Sequence, residues 1–386
     1  MRAATVVLVL LLVLTGGIWL GGHPEALPGP LRDSLVEEGP AVRADLIDTI
    51  VNHYYKPVSK AKLEEESLRG MVASLKDPYS RYFSPREAKS FNEDLSGKFE
   101  GVGMSVHPTK EGLVITDTFP GAPARKAGMR PGDVITEVNG HSIAGQGINN
   151  STDQIKGPPG TFVNLTVKRD GKTLHFHVER AKIDVPEVKG RIVTRNGQKF
   201  AVVSLATFSS GVHGKVREAI DKQLKKGAKG IVLDLRGDPG GLLREGVLVS
   251  SIFIDKGTIV TTRGRAEPTH VYKAEGDAIN PKIPVVVLVD RGTASASEIT
   301  TGALRDRGRA TVVGTRTFGK GVFQEIQSLE NGGALDLTVG RYYMPDGEPL
   351  PKDGIKPQVK ASDDPKTPAK DEALPKALDV LQRSLQ

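Results

Sequence analysis

The residues of this sequence best suited to chemistry are a serine and a lysine, Ser295 and Lys320. Ser295-x-x-Glu298 has the pattern of a capping box, which predicts that Ser295 caps the N-terminus of a helix after a turn of small residues. Lys320 lies between Gly319 and Gly321, which lack side chains and let the backbone pack closely. A serine hydroxyl needs a base to become a nucleophile, and a lysine can serve if burial lowers its pKa from ~10.4 to near 7.

Strands and helices on both sides must bring these two side chains together. The apolar run 285–289 predicts a buried strand, a helical pattern follows to about residue 307, and residues 311–314 predict a second strand. Strand and helix alternate from residue 199 onward, which is typical of an α/β domain with a largely parallel sheet. Residues 211–226 and a segment from about 243 are predicted helices, residues 263–282 a polar hinge, and residues 334–343 a late strand.

Other interpretations of the two residues remain open at this level. Ser295 alone could be only a helix cap, Ser297 could be the nucleophile, and Lys320 alone could be a surface lysine. The run 314–320 nearly completes a phosphate-binding loop, but glycine replaces the required Ser/Thr at position 321 and a strand pattern follows. Ser59-x-x-Lys62 matches a catalytic S-x-x-K pattern within a charged run. A Ser-His-Asp triad has little support. His53 lies in the first predicted helix, His175 and His177 share one face of a predicted strand, and His213 and His270 have no obvious acid motif nearby.

Residues 97–180 consist of short apolar strands separated by glycine- and proline-rich turns. The order and spacing of these motifs resemble a PDZ domain, although a small β-barrel without a ligand has the same texture. PDZ domains bind a free carboxylate on backbone N–H groups of a glycine loop and add the peptide to a sheet edge. The corresponding loop here is Gly101, Val102, Gly103 and Met104. The motifs are Gly101-Val-Gly-Met, Gly112-Leu-Val-Ile-Thr, Ala122-Pro-Ala-x-x-Ala-Gly, Pro131-Gly-Asp-Val-Ile, Val138-Asn-Gly and Gly157-Pro-Pro-Gly-Thr.

The N-terminal part of the chain contains an apolar run followed by helical patterns. Residues 1–22 predict a secretory signal or an uncleaved anchor, and a length near the ~20 residues that span a bilayer favours the anchor. Residues 33–95 predict amphipathic helices, whose apolar stripes need either the main core or a second copy of the chain. The stripes contain Val42, Leu46, Ile50 and Tyr54, then Leu68, Met71, Val72 and Leu75.

Composition narrows the classes of function. The 386 residues allow two or three domains, and the absence of cysteine excludes thiol catalysis, disulfides and zinc–cysteine sites. The net charge of +7 is spread along the chain without a basic stripe, which argues against nucleic acid and favours contact with an anionic membrane surface.

Four sequence blocks resemble the carboxyl-terminal processing peptidases, the tail-specific serine proteases with a Ser-Lys dyad. Gly70-Met-Val-x-x-Leu and Asp77-Pro-Tyr-Ser-x-Tyr match as well, and the resemblance covers about residues 40–360. It implies an α/β multidomain protein with N-terminal helices, a PDZ domain and a crotonase/ClpP-like core at 183–360. The Asp-, Lys- and Pro-rich composition that follows predicts a flexible tail at 361–386 that contains a short helix. The four blocks are Leu233-Asp-Leu-Arg-x-x-Pro-Gly-Gly, Ser295-Ala-Ser-Glu-Ile, Gly314-x-x-Thr-Phe-Gly-Lys-Gly-x-x-Gln324 and Tyr342-x-x-Pro-Asp-Gly.

The resemblance also implies roles for individual residues. Ser295 corresponds to the nucleophile, Lys320 to the general base, and Gln324 to a residue that orients the lysine. Backbone N–H groups are expected to hold the oxyanion, and the candidates are those of Ala296 and of Gly240 or Gly241. The sequence departs from the family's usual serine and asparagine at Thr293 and Asp238, and the family acid Asp306 has no assigned role; Glu298 is expected to be the cap partner.

The sequence therefore predicts an exported serine endopeptidase on the extracytoplasmic face of a bacterial membrane. It is expected to cleave proteins or peptides near their free C-termini and to need no metal or organic cofactor. The rival hypotheses are a non-catalytic adaptor that binds protein tails and a crotonase-type acyl-CoA enzyme. An export segment and a PDZ domain argue against the acyl-CoA enzyme, and the intact Ser/Lys/Gln set argues against the adaptor.

Overall fold

The computed structural model describes residues 13, 15–17, 38–363 and 370–385, which fall into two compact units that divide between Ser84 and Pro85. Almost all of the predicted signal or anchor at 1–22, and residues 364–369 of the tail, lie outside the described residues. Within the described part of the chain, no helix has the length and apolarity needed to cross a membrane.

The first unit contains the predicted N-terminal helices. Helix α1 places Val42, Leu46 and Tyr54 on an exposed face, while Ile47 beside them is buried. The predicted stripe is therefore helical, and most of it faces solvent in a single chain. The elements are α1 (Glu38–His53), α2 (Lys60–Ala73) and β1 (Arg81–Phe83).

The second unit begins with α3 (Pro85–Ser96) and continues into an antiparallel domain between residues 98 and 184. Strands β2 and β9 pair where the chain enters and leaves this domain. The main sheet has the order β3-β4-β5-β7-β8, with β6 added to β5, and its core is formed by apolar side chains of β4, β5 and β7, which alternate along β7. The elements are β2 (Lys98–Gly101), β3 (Met104–Pro108), β4 (Leu113–Thr118), α4 (Pro123–Lys126), β5 (Val134–Val138), β6 (His141–Ser142), α5 (Ile148–Ile155), β7 (Phe162–Arg169), β8 (Lys172–Glu179) and β9 (Ala181–Asp184).

A six-stranded sheet forms the centre of the remaining domain. Its order is β10-β11-β12-β15-β16-β19, and every pair except β10–β11 is parallel. Strands β12 and β15 are buried on both faces, which explains their continuous apolar sequences. The elements are β10 (Val188–Arg195), β11 (Gln198–Leu205), α6 (Val212–Lys225), β12 (Ile231–Asp234), α7 (Leu243–Ser251), β15 (Val285–Val289), α8 (Ala296–Asp306), β16 (Thr311–Gly314), β19 (Val359–Lys360) and α9 (Ala373–Arg383).

A second, antiparallel sheet in this domain carries the strand that follows Lys320. Strand β18 pairs with both β17 and β13, and β13 pairs with β14. The prediction of a polar hinge at 263–282 is wrong for residues 263–264, which end β13, and for residues 270–273, which form β14. Backbone pairing and the contact between the His270 and Tyr272 rings stabilise the polar strand β14. The elements are β13 (Thr258–Gly264), β14 (His270–Lys273), β17 (Val322–Ser328) and β18 (Ala334–Tyr343).

Candidate active site

Ser295 occupies a strained turn between β15 and α8. Its backbone angles, φ 54° and ψ −117°, lie outside the regions that L-residues favour, and its side chain is buried except for a small exposed fraction. A strained turn from strand to helix is the geometry that presents a nucleophilic serine in α/β-hydrolases. Strain that persists at one polar residue supports a functional role for that residue.

The alternative nucleophile, Ser297, lies one residue into α8 and is fully buried. Its hydroxyl donates to the backbone carbonyl of Asp238 at 3.0 Å. The structure therefore gives Ser297 a packing role between the helix and the turn that follows β12.

Glu298 joins the serine turn to the lysine loop. Its Oε2 accepts the backbone N–H of Ser295 at 3.0 Å and that of Lys320 at 2.9 Å. Two such bonds to one oxygen place the two backbone nitrogens less than about 6 Å apart. The sequence predicted Glu298 as the cap partner, and its second bond explains how residues far apart in sequence become neighbours.

The other oxygen of the same carboxylate anchors the loop that precedes Lys320. Oε1 accepts the Thr317 hydroxyl at 2.5 Å and the Gly319 N–H at 2.8 Å. Glu298 is fully buried, and burial raises the pKa of its carboxyl above the ordinary value, although the four donors oppose that shift. The carboxylate is thus a fixed acceptor for two segments of the site.

The glycines beside Lys320 allow this loop to pack against the backbone of residues 350–354. A Cβ on Gly319, which has φ +99°, would stand 2.1 Å from the carbonyl oxygen of Lys352, and one on Gly321 would stand 2.7 Å from that of Leu350. Neither position can accept a side chain without a backbone shift, and Lys320 between them is partly buried. The close approach expected from the sequence is the reason for both glycines.

Gln324 lies in β17 opposite Thr338 of β18, and its amide donates to the Thr338 hydroxyl at 3.0 Å. The even separation of Lys320 and Gln324 in sequence does not place their side chains on one strand face. Lys320 precedes β17, and the pairing register shifts between Phe323 and Gln324. The orienting role of Gln324 stays a prediction.

The Pro-Gly-Gly turn after β12 lies directly against the serine. A Cβ on Gly240 would stand 2.9 Å from both the Ser295 Cβ and the Ala296 nitrogen. The Gly240 N–H donates to Asp238 Oδ1 at 2.8 Å, whereas among the described residues no protein oxygen accepts the N–H of Gly241 or Ala296. The predicted oxyanion residues are therefore adjacent, and Gly241 and Ala296 have N–H groups available for a ligand.

Sequence reasoning missed two residues of this site. The buried Tyr342, in the Tyr-x-x-Pro-Asp-Gly block, interacts with the Ser295 side chain; burial raises the pKa of the Tyr342 phenol, and the interaction with Ser295 opposes this. Asp238, which stands where the family usually has asparagine, has no role assigned from the sequence, yet its carboxyl accepts the Gly240 N–H and the residue is fully buried. The signals available in the sequence were the tyrosine block itself and an acid in place of an amide.

Asp306, the acid without an assigned role, lies at the end of α8. Its Oδ1 accepts the Arg305 Nε at 2.7 Å, and its Oδ2 is buried without a partner among the described residues. His213 is held by Glu245 at 2.8 Å, and His177 stacks on Phe162 in the antiparallel domain. Ser59 caps α2, with its hydroxyl oxygen 3.4 Å from the Lys62 nitrogen, which gives the S-x-x-K pattern a structural explanation.

The predicted peptide loop of the antiparallel domain lines a cavity of about 230 Å³. Gly103, with φ +76°, packs so closely that a Cβ would stand 2.4 Å from that of Ala122. Lys156 on the cavity wall pairs with Glu93 at 2.5 Å. The cavity walls come from the loop, from α3 and α5, and from the segment after β9: Asp94, Phe99, Gly101, Val102, Gly103, Met104, Val106, Thr152, Ile155, Lys156 and Val185.

Three family models match this chain. Residues 199–361 match peptidase family S41, residues 101–179 match the PDZ domain, and residues 43–86 match the N-terminal domain of the activating protease CtpB. The matches confirm the resemblance and the mixed α/β fold class predicted from the sequence.

Curated relatives and a solved structure agree with these matches. A probable CtpA-like serine protease of Staphylococcus haemolyticus (strain JCSC1435) is 39% identical over 81% of this chain, and one of Staphylococcus aureus (strain bovine RF122 / ET3-1) is 40% identical over 79%. The chain spans 62% and 61% of the length of these two relatives. The photosystem II D1 C-terminal processing protease is 29% identical, with a TM-score of 0.51 over 85% of this chain and 94% of that one. A putative S41 protease from Bacteroides fragilis NCTC 9343, 19% identical over 88% of this chain and 97% of that one, shares the fold with a TM-score of 0.56.

Proposed function

Starting from the S41 peptidase core that residues 199–361 form, we propose that this protein is an exported serine endopeptidase that cleaves proteins near their C-termini. The observation that carries the proposal is the shared carboxylate oxygen of Glu298, which holds the backbones of Ser295 and Lys320 together. The adjacent Gly240–Gly241 turn supplies the third part of an acyl-transfer site. The proposal has three parts: the reaction is peptide hydrolysis, Ser295 and Lys320 form the catalytic dyad, and the substrate is recognised by its C-terminal tail.

The proposed reaction begins when the neutral Lys320 Nζ takes the proton of the Ser295 hydroxyl. The serine oxygen then attacks the scissile carbonyl carbon, and the carbonyl electrons move to its oxygen. Collapse of this tetrahedral species breaks the C–N bond, and the lysine ammonium returns its proton to the leaving amine. Water repeats the sequence on the ester, which releases the acid and regenerates Ser295.

Backbone groups beside Ser295 suit the negative charge that develops on the carbonyl oxygen. The Ala296 N–H directly follows the serine, and the Gly241 N–H directly follows Gly240, which packs against the serine. Neither N–H has a protein acceptor among the described residues. Ala296 also begins α8, so the positive end of the helix dipole lies at the same place. Preorganised donors of this kind stabilise an oxyanion without reorganisation during the reaction.

The PDZ domain is proposed to capture the substrate tail. The 230 Å³ cavity beside Gly101–Met104 has largely apolar walls, which suits an apolar C-terminal side chain, while the loop amides suit the terminal carboxylate. Deletion of residues 97–180 should change the basal rate or the preference for tailed substrates. Unchanged kinetics on both tailed and tailless substrates would contradict gating by this domain.

Location and assembly are part of the proposal. Residues 1–22 would direct the chain to the extracytoplasmic face of the membrane and hold it there or be removed. The exposed stripe of Val42, Leu46 and Tyr54 on α1 would pair with a second copy of the chain. Light scattering of a variant that lacks residues 1–22 tests the dimer, and a monomer at micromolar concentration would contradict it.

The decisive variants are Ser295→Ala and Lys320→Ala, tested for degradation of an unfolded protein. Each should abolish turnover and leave binding of a tail peptide unchanged. The matched controls are Ser328→Ala and Lys229→Ala, which change an exposed serine and an exposed lysine away from the turn. Full activity in either dyad variant would refute the mechanism, and tail binding without turnover in the wild-type protein would identify an adaptor.

A further inference from the structure

Asp238 places a carboxyl group in the turn that backs the serine. It is fully buried, and its Oδ1 accepts the Gly240 N–H at 2.8 Å. Its backbone carbonyl accepts the Ala294 N–H and the Ser297 hydroxyl, both at 3.0 Å, so the residue is fixed from two sides. Its Oδ2 is buried and has no partner among the described residues.

The position of Gly240 connects this carboxyl to the reacting atoms. Gly240 faces the Ser295 Cβ and the Ala296 nitrogen so closely that a Cβ would contact both at 2.9 Å. Any change in the bond between Asp238 and the Gly240 amide therefore changes the wall behind the serine. A negative charge at this depth would also oppose the charge that develops on a substrate oxygen, because the buried surroundings screen it weakly.

Among the described residues, the charged groups on the neighbouring elements do not neutralise a negative charge on the Asp238 carboxyl. Glu187, from the segment after β9, adds an unfavourable negative charge and is itself bound by Ser209 at 2.6 Å and by Lys215. Asp290, on the nucleophile loop, accepts the N–H groups of Gly237 and Gly292.

Arg236 and Glu298 likewise form their ion pairs and hydrogen bonds with other groups and not with the Asp238 carboxyl. Arg236, two residues before Asp238, is directed to Asp234, Asp363 and Asp371. Glu298 on α8 binds the donors of the serine turn and the lysine loop. Burial accordingly raises the pKa of Asp238 to about 7, and the charge of Glu187 adds to this, while the bond from the Gly240 N–H and the nearby Ser297 hydroxyl oppose it.

We propose, on the basis of the function proposed above, that Asp238 is a positioning residue of the oxyanion turn that supports acylation as a neutral acid and opposes it as a carboxylate. The neutral acid still accepts the Gly240 N–H and adds an O–H donor at the unpartnered Oδ2. The carboxylate holds the Gly240 amide more strongly and places a negative charge behind the oxyanion. Asparagine, the usual family residue at this position, resembles the neutral acid in combining one acceptor oxygen with a donor group and no charge.

The test compares kcat/KM for a tailless peptide ester between pH 5 and 10 in the wild-type protein and in Asp238→Asn. In the wild type, kcat/KM should rise with pH as Lys320 loses its proton and should then fall with an apparent pKa near 7 as Asp238 ionises. In the variant, kcat/KM should still rise with pH but should not fall. At pH 9 the variant should be about tenfold or more faster than the wild type, because at most ~1 in 100 wild-type carboxyls is still protonated there. The matched control Asp290→Asn, which also changes an acid that binds this turn, should retain the fall whatever its rate.

A second readout does not depend on turnover. Infrared difference spectra of wild type minus Asp238→Asn should show a protonated carboxyl band that disappears as the pH rises through 7. Superposed pH profiles, or the absence of that band at pH 5, would overturn the role of Asp238. If Ser295→Ala abolishes hydrolysis while the profiles superpose, the proposed function stands and only the role of Asp238 fails.

Discussion

Substitution of Glu298 by glutamine tests the contact that joins the two halves of the site. The carboxylate accepts four donors, two on each oxygen: Ser295 N–H and Lys320 N–H on Oε2, Thr317 hydroxyl and Gly319 N–H on Oε1. Glutamine has one acceptor oxygen and one donor NH₂ group, so two of the four donors must face another donor. The change is nearly isosteric and isolates the hydrogen bonds from the packing.

The magnitude follows from the donors that lose their acceptor. The Thr317 hydroxyl can rotate and accept from the amide, whereas the backbone N–H groups cannot, so the amide NH₂ is expected on the Gly319 side. Hydrogen bonds to a charged group contribute about 1.5–3 kcal/mol each, and the loss of one or two of them predicts destabilisation by about 2–5 kcal/mol. A displacement of the lysine loop by about 1 Å predicts a fall in kcat of about 100-fold.

The assay combines urea unfolding with single-turnover hydrolysis of a tailless ester. Glu330→Gln is the matched control, because Glu330 is an exposed glutamate in the same domain and should behave as wild type. If Glu298→Gln unfolds within about 0.5 kcal/mol of the wild type and keeps its kcat, the carboxylate does not hold the site together and the reasoning is refuted.

Three further predictions concern other parts of the site. The pKa of Asp238 is raised from 3.8 to about 7, so between these pH values the folded state binds a proton that the unfolded state has lost. The free energy of unfolding of the wild type should therefore fall by up to about 4 kcal/mol as pH rises from 3.8 to 7. Asp238→Asn should make the urea midpoint less dependent on pH, and parallel pH profiles of the two proteins would contradict this. Tyr342→Phe removes the phenol group that interacts with the Ser295 side chain and should lower kcat about five- to tenfold at constant KM. An unchanged kcat would exclude an orienting role for Tyr342. Val106→Glu places a carboxylate in the wall of the peptide cavity and should raise KM for a tailed substrate about tenfold or more without changing KM for a tailless one. The control Val271→Glu changes an exposed valine and should affect neither substrate. If Val106→Glu changes KM equally for both substrates, the domain does not capture the tail.

Patterns local in sequence predicted most of the fold. Residues 285–289 and 311–314 form strands where the β-branched runs predict them, and the helix predicted at 211–226 spans Val212–Lys225. Strand β14 was not predicted because its polar sequence is stabilised by pairing with β13, a contact that no local pattern reports.

Sequence patterns predicted only part of the candidate active site. The order of the motifs identified Ser295, Lys320 and the Pro-Gly-Gly turn. The capping-box pattern predicted that Glu298 binds the backbone of Ser295, but not that it also binds the loop of Lys320. The bond from Lys320 to Glu298 joins residues 22 positions apart and depends on the tertiary fold. Tyr342 lies in β18 of the antiparallel sheet, whereas Ser295 follows β15 of the six-stranded sheet. No sequence pattern around either residue predicts the interaction between them.

The central claim is that Lys320 activates the hydroxyl of Ser295. The most direct measurement is the rate at which a peptidyl phosphonate labels the protein, with the labelled residue identified by mass spectrometry in the wild type and in Lys320→Ala. The account predicts phosphonylation of Ser295 in the wild type and a rate at least about 1000-fold lower in the variant. Labelling of Ser297, or of Ser295 at the wild-type rate without the lysine, would contradict it.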